Sequence, residues 1–264
     1  MGLILESPGP ILWQWGWLQL RWYGVLIGVA ILLGLWLAQA AARRRGWDPA
    51  LMSELLGWLM IGAIPAARLY YVLFEWPIYR QQPWWKVLAI WQGGIAIHGA
   101  LLGGMLAIGW FARYRQLNFW QLADTIIPSV ILGQAIGRWG NFFNNEAYGG
   151  AIAATSWIQL RLPNGSLVHP TFFYESLWNL GVFVLLLRLS RRPVPLPAGS
   201  LLAVYLIAYS LGRFWIEGLR TDSLMLGPWR VAQGVSLLLI GLGSLLLWQR
   251  RRAALTSANN SSST

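Results

Sequence analysis

Arg213 and Glu217 stand four residues apart in "YSLGRFWIEGLR" (209–220), so a helix would set both on one face. Two readings follow. The pair locks a helix bundle as an internal ion pair, or Glu217 orients Arg213 toward an anionic ligand. A second polar cluster lies in "GQAIGRWGNFFNNEAYGG" (133–150), where Arg138, Asn141 and Glu146 follow the apolar run "DTIIPSVIL". So polar and flexible a segment is either the start of a loop or a set of ligand donors. Arg68, in "GAIPAARLYYVLF", follows Pro65 by three residues. Proline frees backbone groups in a helix, and these face protein or a water-filled cavity. Arg68 either snorkels to an interface or supplies a cation to such a cavity. His98, in "GGIAIHGALLGG", is a buried and hydrogen-bonded imidazole, or a general base or polar ligand. Tyr23, in "RWYG", reads by position as an interfacial aromatic, and His169, before Pro170, as a turn residue.

The composition narrows the chemistry. Of 264 residues, 56% are hydrophobic and 11% charged, far below the quarter charged of a soluble domain. There is no Cys, so disulfides, thiolate nucleophiles and Cys-based metal sites are excluded, and two His residues do not suggest a metal site. The formal charge of +11 raises nucleic acid as a partner. The basic residues lie between apolar runs, however, which fits membrane topology and not nucleic acid.

Elements that cross a membrane must therefore position these residues. A spanning helix needs about 20 mostly apolar residues. Seven segments are candidates: Leu18–Ala42, Leu51–Phe74, Gly93–Phe111, Asp124–Gly137, Phe172–Leu187, Gly199–Glu217 and Val231–Trp248, the fourth and fifth being short and expected to extend into their flanks. The expected fold is an all-α polytopic membrane protein in one domain, residues 1–264. The first 20 residues carry Glu6 and no Lys or Arg, unlike a secretory leader, so the first segment reads as an uncleaved anchor. Asp124 is expected to cap the fourth helix. Gly99 and Gly103 have the small-xxx-small spacing of close helix packing.

Arg43–Arg45, Arg113, Arg115, Arg188, Arg191, Arg192 and Arg250–Arg252 follow alternate helices and fall on one side; Arg80, Lys86 and Arg161 fall on the other. The bias places the N-terminus outside and the C-terminus in the cytoplasm. The longest connection, 138–171, holds "TSWIQLRLPNGSLVHP", an alternating stretch around a hairpin-type turn. It is expected to form a small extracytoplasmic cap with a β-hairpin. The tail, 253–264, is polar, low in complexity and expected to be disordered. Trp76, Trp84, Trp85 and Trp91 suit an outer interface. Arg21, Arg68, Arg138, Arg213, Arg220 and Arg230, with Glu75, Glu146, Glu175, Glu217 and Asp222, sit within or at the outer ends of apolar segments. Intramembrane charge is costly and faces a cavity or a partner, so a polar site opening toward the outer leaflet is expected.

Five stretches in order now resemble one family, bacterial prolipoprotein diacylglyceryl transferase. "GRWGNFFNNEAYGG" is similar to its signature, matching at Gly137, Arg138, Gly140, Asn141, Phe142, Asn144, Glu146 and Gly149. "RWYG", "GGIAIHGALLGG", "HPTFFYES" and "YSLGRFWIEGLR" resemble its other motifs. Asn145 departs from a position that is often glycine, and Tyr148 keeps an aromatic. The resemblance implies transfer of a diacylglyceryl group from phosphatidylglycerol to the lipobox cysteine of a preprolipoprotein signal peptide in the bacterial plasma membrane. It implies no cofactor and no metal. It places His98, Tyr23, Arg213 and Glu217 in the catalytic set. Arg138, Asn141, Glu146, Gly149 and Tyr209, with Arg68 added, form the phosphatidylglycerol-binding set. Arginine's planar fork would grip the phosphate, and the signature's glycines would let backbone approach the headgroup. A transporter would show paired repeats, which are not evident, and an intramembrane protease a G-x-S-x-G or paired-Asp motif, which is absent. A non-catalytic assembly factor stays open on composition.

Overall fold

The computed structural model describes residues 2–153 and 155–261, with side chains as far as residue 253. In chain order the elements are β1 (Leu3–Glu6), β2 (Ile11–Trp15), β3 (Leu18–Arg21), α1 (Trp22–Arg44), α2 (Ala50–Phe74) and the short α3 (Trp76–Tyr79). Two 3-10 turns, Trp84–Leu88 and Ile90–Gln92, lead to α4 (Ile97–Tyr114) and α5 (Phe119–Asn144). Then come β4 (Ile158–Arg161), β5 (Leu167–Val168), α6 (Thr171–Ser190), α7 (Ser200–Glu217), β6 (Met225–Leu226), β7 (Trp229–Arg230) and α8 (Val231–Ser261).

Helix forms at all seven expected segments. Among the described residues, four helices are long and apolar enough to cross a membrane: α1, α2, α6 and α8 over Val231–Ala253. The chain is thus a mostly helical membrane protein. α4 and α7 are 18 residues each. α5 is longer but carries the polar signature in its last turns. α8 continues to Ser261, through most of the segment expected to be a disordered tail. The last three residues of that segment lie outside the described residues.

Two of the boundaries that differ from the sequence reading have a clear local cause. Leu18–Arg21 is strand, not the start of the first span. It pairs antiparallel with β2 around a turn in which Gly16 takes φ 58°, a conformation glycine adopts freely. The apolar run through Leu18 carried no period that would separate strand from helix. The fourth helix runs Phe119–Asn144, well beyond the expected Asp124–Gly137. Its start is set by Asn118, whose Oδ1 accepts from the N–H groups of Trp120 (3.0 Å) and Gln121 (3.2 Å). Its end is a Schellman closure: Glu146 N–H bonds Asn141 O (3.0 Å), and Asn145 N–H bonds Phe142 O (3.1 Å). Asn145 takes φ 53° there. Asparagine tolerates this left-handed position, so it can stand where glycine is usual. The first seven residues of the expected cap are therefore helix.

Asp124 does not cap its own helix. It is buried, and its carboxylate accepts from the N–H groups of Gly199 (2.8 Å) and Leu202 (2.9 Å). It thus caps α7, whose first N–H groups have no partner within their own helix.

The chain divides into two compact units, residues 1–37 with 123–264, and residues 38–122. In the first, Ile127 and Ile131 of α5 pack with Val182 and Leu186 of α6 and Leu201 and Tyr205 of α7. A second cluster joins Phe142, Leu160, Leu162, Val168 and Phe172. β1 runs parallel to β4 from Leu3↔Ile158 to Glu6↔Arg161, and β5 pairs antiparallel with β4. The turn between β4 and β5 uses Gly165 at φ 84°, as "PNGS" suggested. In the second unit, α2 and α4 cross closely. A Cβ at Gly99 would lie 2.3 Å from Ala66 O, and one at Gly103 2.3 Å from Gly62 O. The packing expected of the two glycines is what they do. The Arg115 guanidinium grips both carboxylate oxygens of Glu54 at the end of this pair of helices.

Candidate active site

α5, α6 and α7 bring the charged residues of the first unit together. Arg138 and Asn141 lie three apart on the last turns of α5, and Tyr209, Arg213 and Glu217 repeat every four residues along one face of α7. Between them stands Glu175, in the first turns of α6 and 2% exposed. Its Oε1 is 2.6 Å from Arg138 Nη2, and its Oε2 accepts from Arg213 Nη1 at 3.3 Å. Arg213 Nη2 reaches Glu217 Oε2 at 2.7 Å. Two arginines and two nearly inaccessible glutamates thus form one charge-balanced network. The balance is what makes burial tolerable, since an unpaired charge would carry its full desolvation cost.

The arginines are not sealed in. Their side chains keep 22% and 20% exposure, against 3% and 2% for the carboxylates that hold them. Each guanidinium offers five N–H donors, and the carboxylates use only part of that fork. The free part is suited to an outside anion, which arginine grips bidentately.

The network continues through the signature. Arg138 Nη1 faces Asn141 Oδ1 at 3.5 Å, and Asn141 Nδ2 donates to Glu146 Oε1 at 3.0 Å. Asn144 Nδ2 donates to the same oxygen at 3.2 Å. The Schellman turn at Asn145 is what folds Glu146 back over its own helix. Tyr209 stacks on Tyr205 with ring centroids 5.5 Å apart, and its hydroxyl interacts with Arg138.

Two signature glycines have packing partners. A Cβ at Gly140 would lie 2.2 Å from the Tyr23 ring, so the glycine lets Tyr23 lie against α5 one residue from Asn141. A Cβ at Gly149 would meet His169 Cβ at 2.7 Å and Leu219 O at 2.8 Å. Gly149 N–H bonds His169 O, and Gly150 N–H bonds Leu219 O. The space these glycines leave is filled by protein, where the sequence suggested a headgroup. Beyond α7, Arg230 donates from Nη1 to Glu217 O, Arg220 O and Ser223 Oγ, tying down the segment that follows Glu217. Arg220 hydrogen-bonds Asp222 through two nitrogens, and this holds the Asp222 carboxyl below the usual carboxylate range.

Arg68 and His98 belong to the second unit. Arg68 is 5% exposed, and its guanidinium donates to four carbonyls: Val87 (2.8 Å), Gly93 (2.6 Å), Gly94 (2.7 Å) and Lys86 (2.6 Å). It organises the segment before α4. It neither snorkels nor presents a free fork. His98 is exposed at the start of α4 and stacks on Tyr70 at 5.8 Å. The buried imidazole that was one reading of it is not what forms. The sequence pattern sets Glu175 only among the outer-half charges. Charge counting does not single it out, because Glu146 and Glu217 already match Arg138 and Arg213 in number.

Two partly open guanidinium groups, held by buried carboxylates, thus converge at three helix ends. The sequence profile of the prolipoprotein diacylglyceryl transferase family matches residues 10–249. The chain belongs to this family. It is similar to a protein of Synechocystis sp. named phosphatidylglycerol–prolipoprotein diacylglyceryl transferase, 54% identical over 256 residues, covering 92% of this chain and 90% of that one. A protein of the same name from Thermosynechococcus vestitus is 56% identical, covering 90% and 91%. One from Gloeobacter violaceus is 53% identical, covering 94% and 95%. Membership makes the chain a transferase, and the Arg138–Glu175–Arg213–Glu217 network lies inside the matched span.

Proposed function

We propose that the chain transfers the diacylglyceryl group of phosphatidylglycerol to the lipobox cysteine thiol of a preprolipoprotein, forming a thioether and releasing glycerol phosphate. This is the first step of lipoprotein maturation. The observation that carries the reading is the Arg138–Glu175–Arg213–Glu217 network, with both guanidinium groups partly open. The thiol sulfur attacks the glycerol carbon that bears the phosphate. The C–S bond forms, the C–O bond breaks, and the electron pair stays on the phosphate oxygen. The phosphate changes from a singly charged diester to a monoester that gains a further negative charge. Arg138 and Arg213 stand where that charge develops, and fixed donors at such a place lower the barrier. Glu175 and Glu217 hold the two forks before substrate arrives, so little reorganisation is left for the reaction.

Asn141, Glu146 and Tyr209 extend the grip around the headgroup, and Tyr23 closes its α1 side. Gly149 acts by letting the chain after α5 pack against 169 and 219. Arg68 is a positioning residue for the segment before α4. For His98 as the base that takes the thiol proton, the support is the family resemblance and its exposed imidazole. The acceptor brings its own sulfur, so a chain without Cys suffices and no step calls for a cofactor. All seven long helices span the bacterial plasma membrane, with the N-terminus outside, the C-terminus in the cytoplasm, and the β4–β5 hairpin in an extracytoplasmic cap. The charge bias of the connecting segments supports this orientation.

Purified protein in phosphatidylglycerol vesicles is incubated with a lipobox peptide. The peptide should gain the mass of one diacylglyceryl group, only when phosphatidylglycerol is present and only on its thiol. A folded protein that leaves the peptide unchanged overturns the reading.

A further inference from the structure

The β2–β3 hairpin is two-faced. Its register pairs Trp13 with Leu20 and Trp15 with Leu18 on one face, and Gln14 with Gln19 on the other. The strand pleat sets this alternation, and the register shifts between Ile11 and Trp13, away from the turn. All four residues of the apolar face are exposed, Trp13 at 51%, Trp15 at 75%, Leu18 at 50% and Leu20 at 45%. Trp17, at the tip, is 92% exposed. Among the described residues nothing covers this face.

We propose that the β2–β3 hairpin lies on the lipid surface, with Trp13, Trp15, Leu18 and Leu20 in the interfacial layer and Gln14 and Gln19 turned to water. Three observations fix the occupant as lipid. First, Arg21 passes directly into Trp22, the first residue of α1, which is apolar and long enough to cross a membrane. A five-residue strand reaches about 17 Å, so the tip cannot leave the neighbourhood of that bilayer surface. Second, the hairpin's base is fastened. Trp22 N–H bonds Pro10 O at 3.0 Å, Trp22 stacks on Phe143 at 4.4 Å, and Ser7 Oγ donates to Phe143 O at 3.1 Å. Third, the exposed face is tryptophan and leucine without charge, and tryptophan prefers the headgroup boundary. A hairpin held at this depth would fix the height of the first turn of α1, where Tyr23 lies against Gly140. The inference rests on the hairpin, α1 and the end of α5 that fastens the hairpin's base, and it stands whatever reaction the chain performs.

The absence of Cys allows a direct test with the full chain in phospholipid nanodiscs. Single replacements Trp15→Cys, Leu18→Cys, Gln14→Cys and Gln19→Cys are labelled with the fluorophore NBD. Quenching is read with a phospholipid carrying a nitroxide near the headgroup and with aqueous iodide. Labels at 15 and 18 should emit at shorter wavelength and be quenched by the nitroxide lipid, while those at 14 and 19 should be quenched by iodide. Equal iodide quenching at all four positions overturns the proposal. So does shielding of 15 and 18 from both quenchers, which would mean that a protein or a second copy covers the face. Nitroxide quenching at all four would likewise overturn it, because the hairpin would be immersed and not lying flat. The polar-face pair removes no apolar contact, so those two variants stay informative if either apolar-face variant folds poorly.

Discussion

Replacing Glu175 by Gln keeps the shape of the side chain and removes its charge. The four-residue network then changes from balanced to a net charge of one, with Arg138 losing its carboxylate and Arg213 keeping only Glu217. A charge pair about 4 Å apart is worth about 1 kcal/mol in water and about 4 kcal/mol at an effective dielectric of about 20. The carboxylate is almost inaccessible while the arginines keep about a fifth of their exposure, so the loss belongs between those limits. Hydrogen bonds to charged groups measure about 1.5–3 kcal/mol. Since about 1.4 kcal/mol is tenfold in rate, transfer should slow roughly tenfold to a hundredfold. The loss should fall mainly on kcat and less on KM for phosphatidylglycerol, because the forks matter most when the leaving phosphate gains charge. Glu175→Asp restores the charge but withdraws it by about 1.5 Å, one C–C bond. It should recover thermal stability better than rate. The assay is transfer to a lipobox peptide at varied phosphatidylglycerol in mixed micelles, with thermal melting alongside. A Glu175→Gln protein that melts normally and keeps its kcat would refute a positioning role. So would a melting temperature and a rate that fall and recover together in both variants, which would make Glu175 purely structural.

Arg138→Lys and Arg213→Lys keep the charge and lose the planar fork, so each should slow transfer about tenfold or more in a folded protein; near-normal rates in both would leave the phosphate grip unsupported. Gly149→Ala places a methyl 2.7 Å from His169 Cβ and 2.8 Å from Leu219 O, and should cost about 1–3 kcal/mol of stability, read as a lower melting temperature. An unshifted melt would show that the 149–169–219 junction yields easily. Asp124→Ala removes the acceptor of two N–H groups at the start of α7 and should destabilise by about 0.5–2 kcal/mol, with the rate per folded molecule preserved. A rate loss without a stability loss would count against capping. For topology, Ser166→Cys should react with an impermeant thiol reagent in intact cells and Ser257→Cys should not; the reverse pattern would invert the orientation.

Sequence determined a good deal of this protein. Each of the seven apolar segments becomes helix over most of its length, because a helix satisfies the backbone of an apolar run within the run itself. Gly99 and Gly103 pack α4 on α2 as their spacing indicated, and "PNGS" turns β4 into β5, because both signals are local. The pairing of Arg213 with Glu217 was legible for the same reason, being one turn of one helix. Tertiary structure alone decided the rest. Leu18–Arg21 became strand because β2 lies beside it, and α5 ran on to Asn144 because Asn145 accepted a left-handed turn and Gly140 found the Tyr23 ring. Asp124 caps α7, 75 residues along the chain, and four backbone carbonyls claim Arg68. Glu175 stands between Arg138 and Arg213 only once α5, α6 and α7 have packed. Periodicity and motifs report what neighbours in sequence can do; which distant carboxylate meets which guanidinium depends on how three helix ends converge, and no single stretch of chain carries that information.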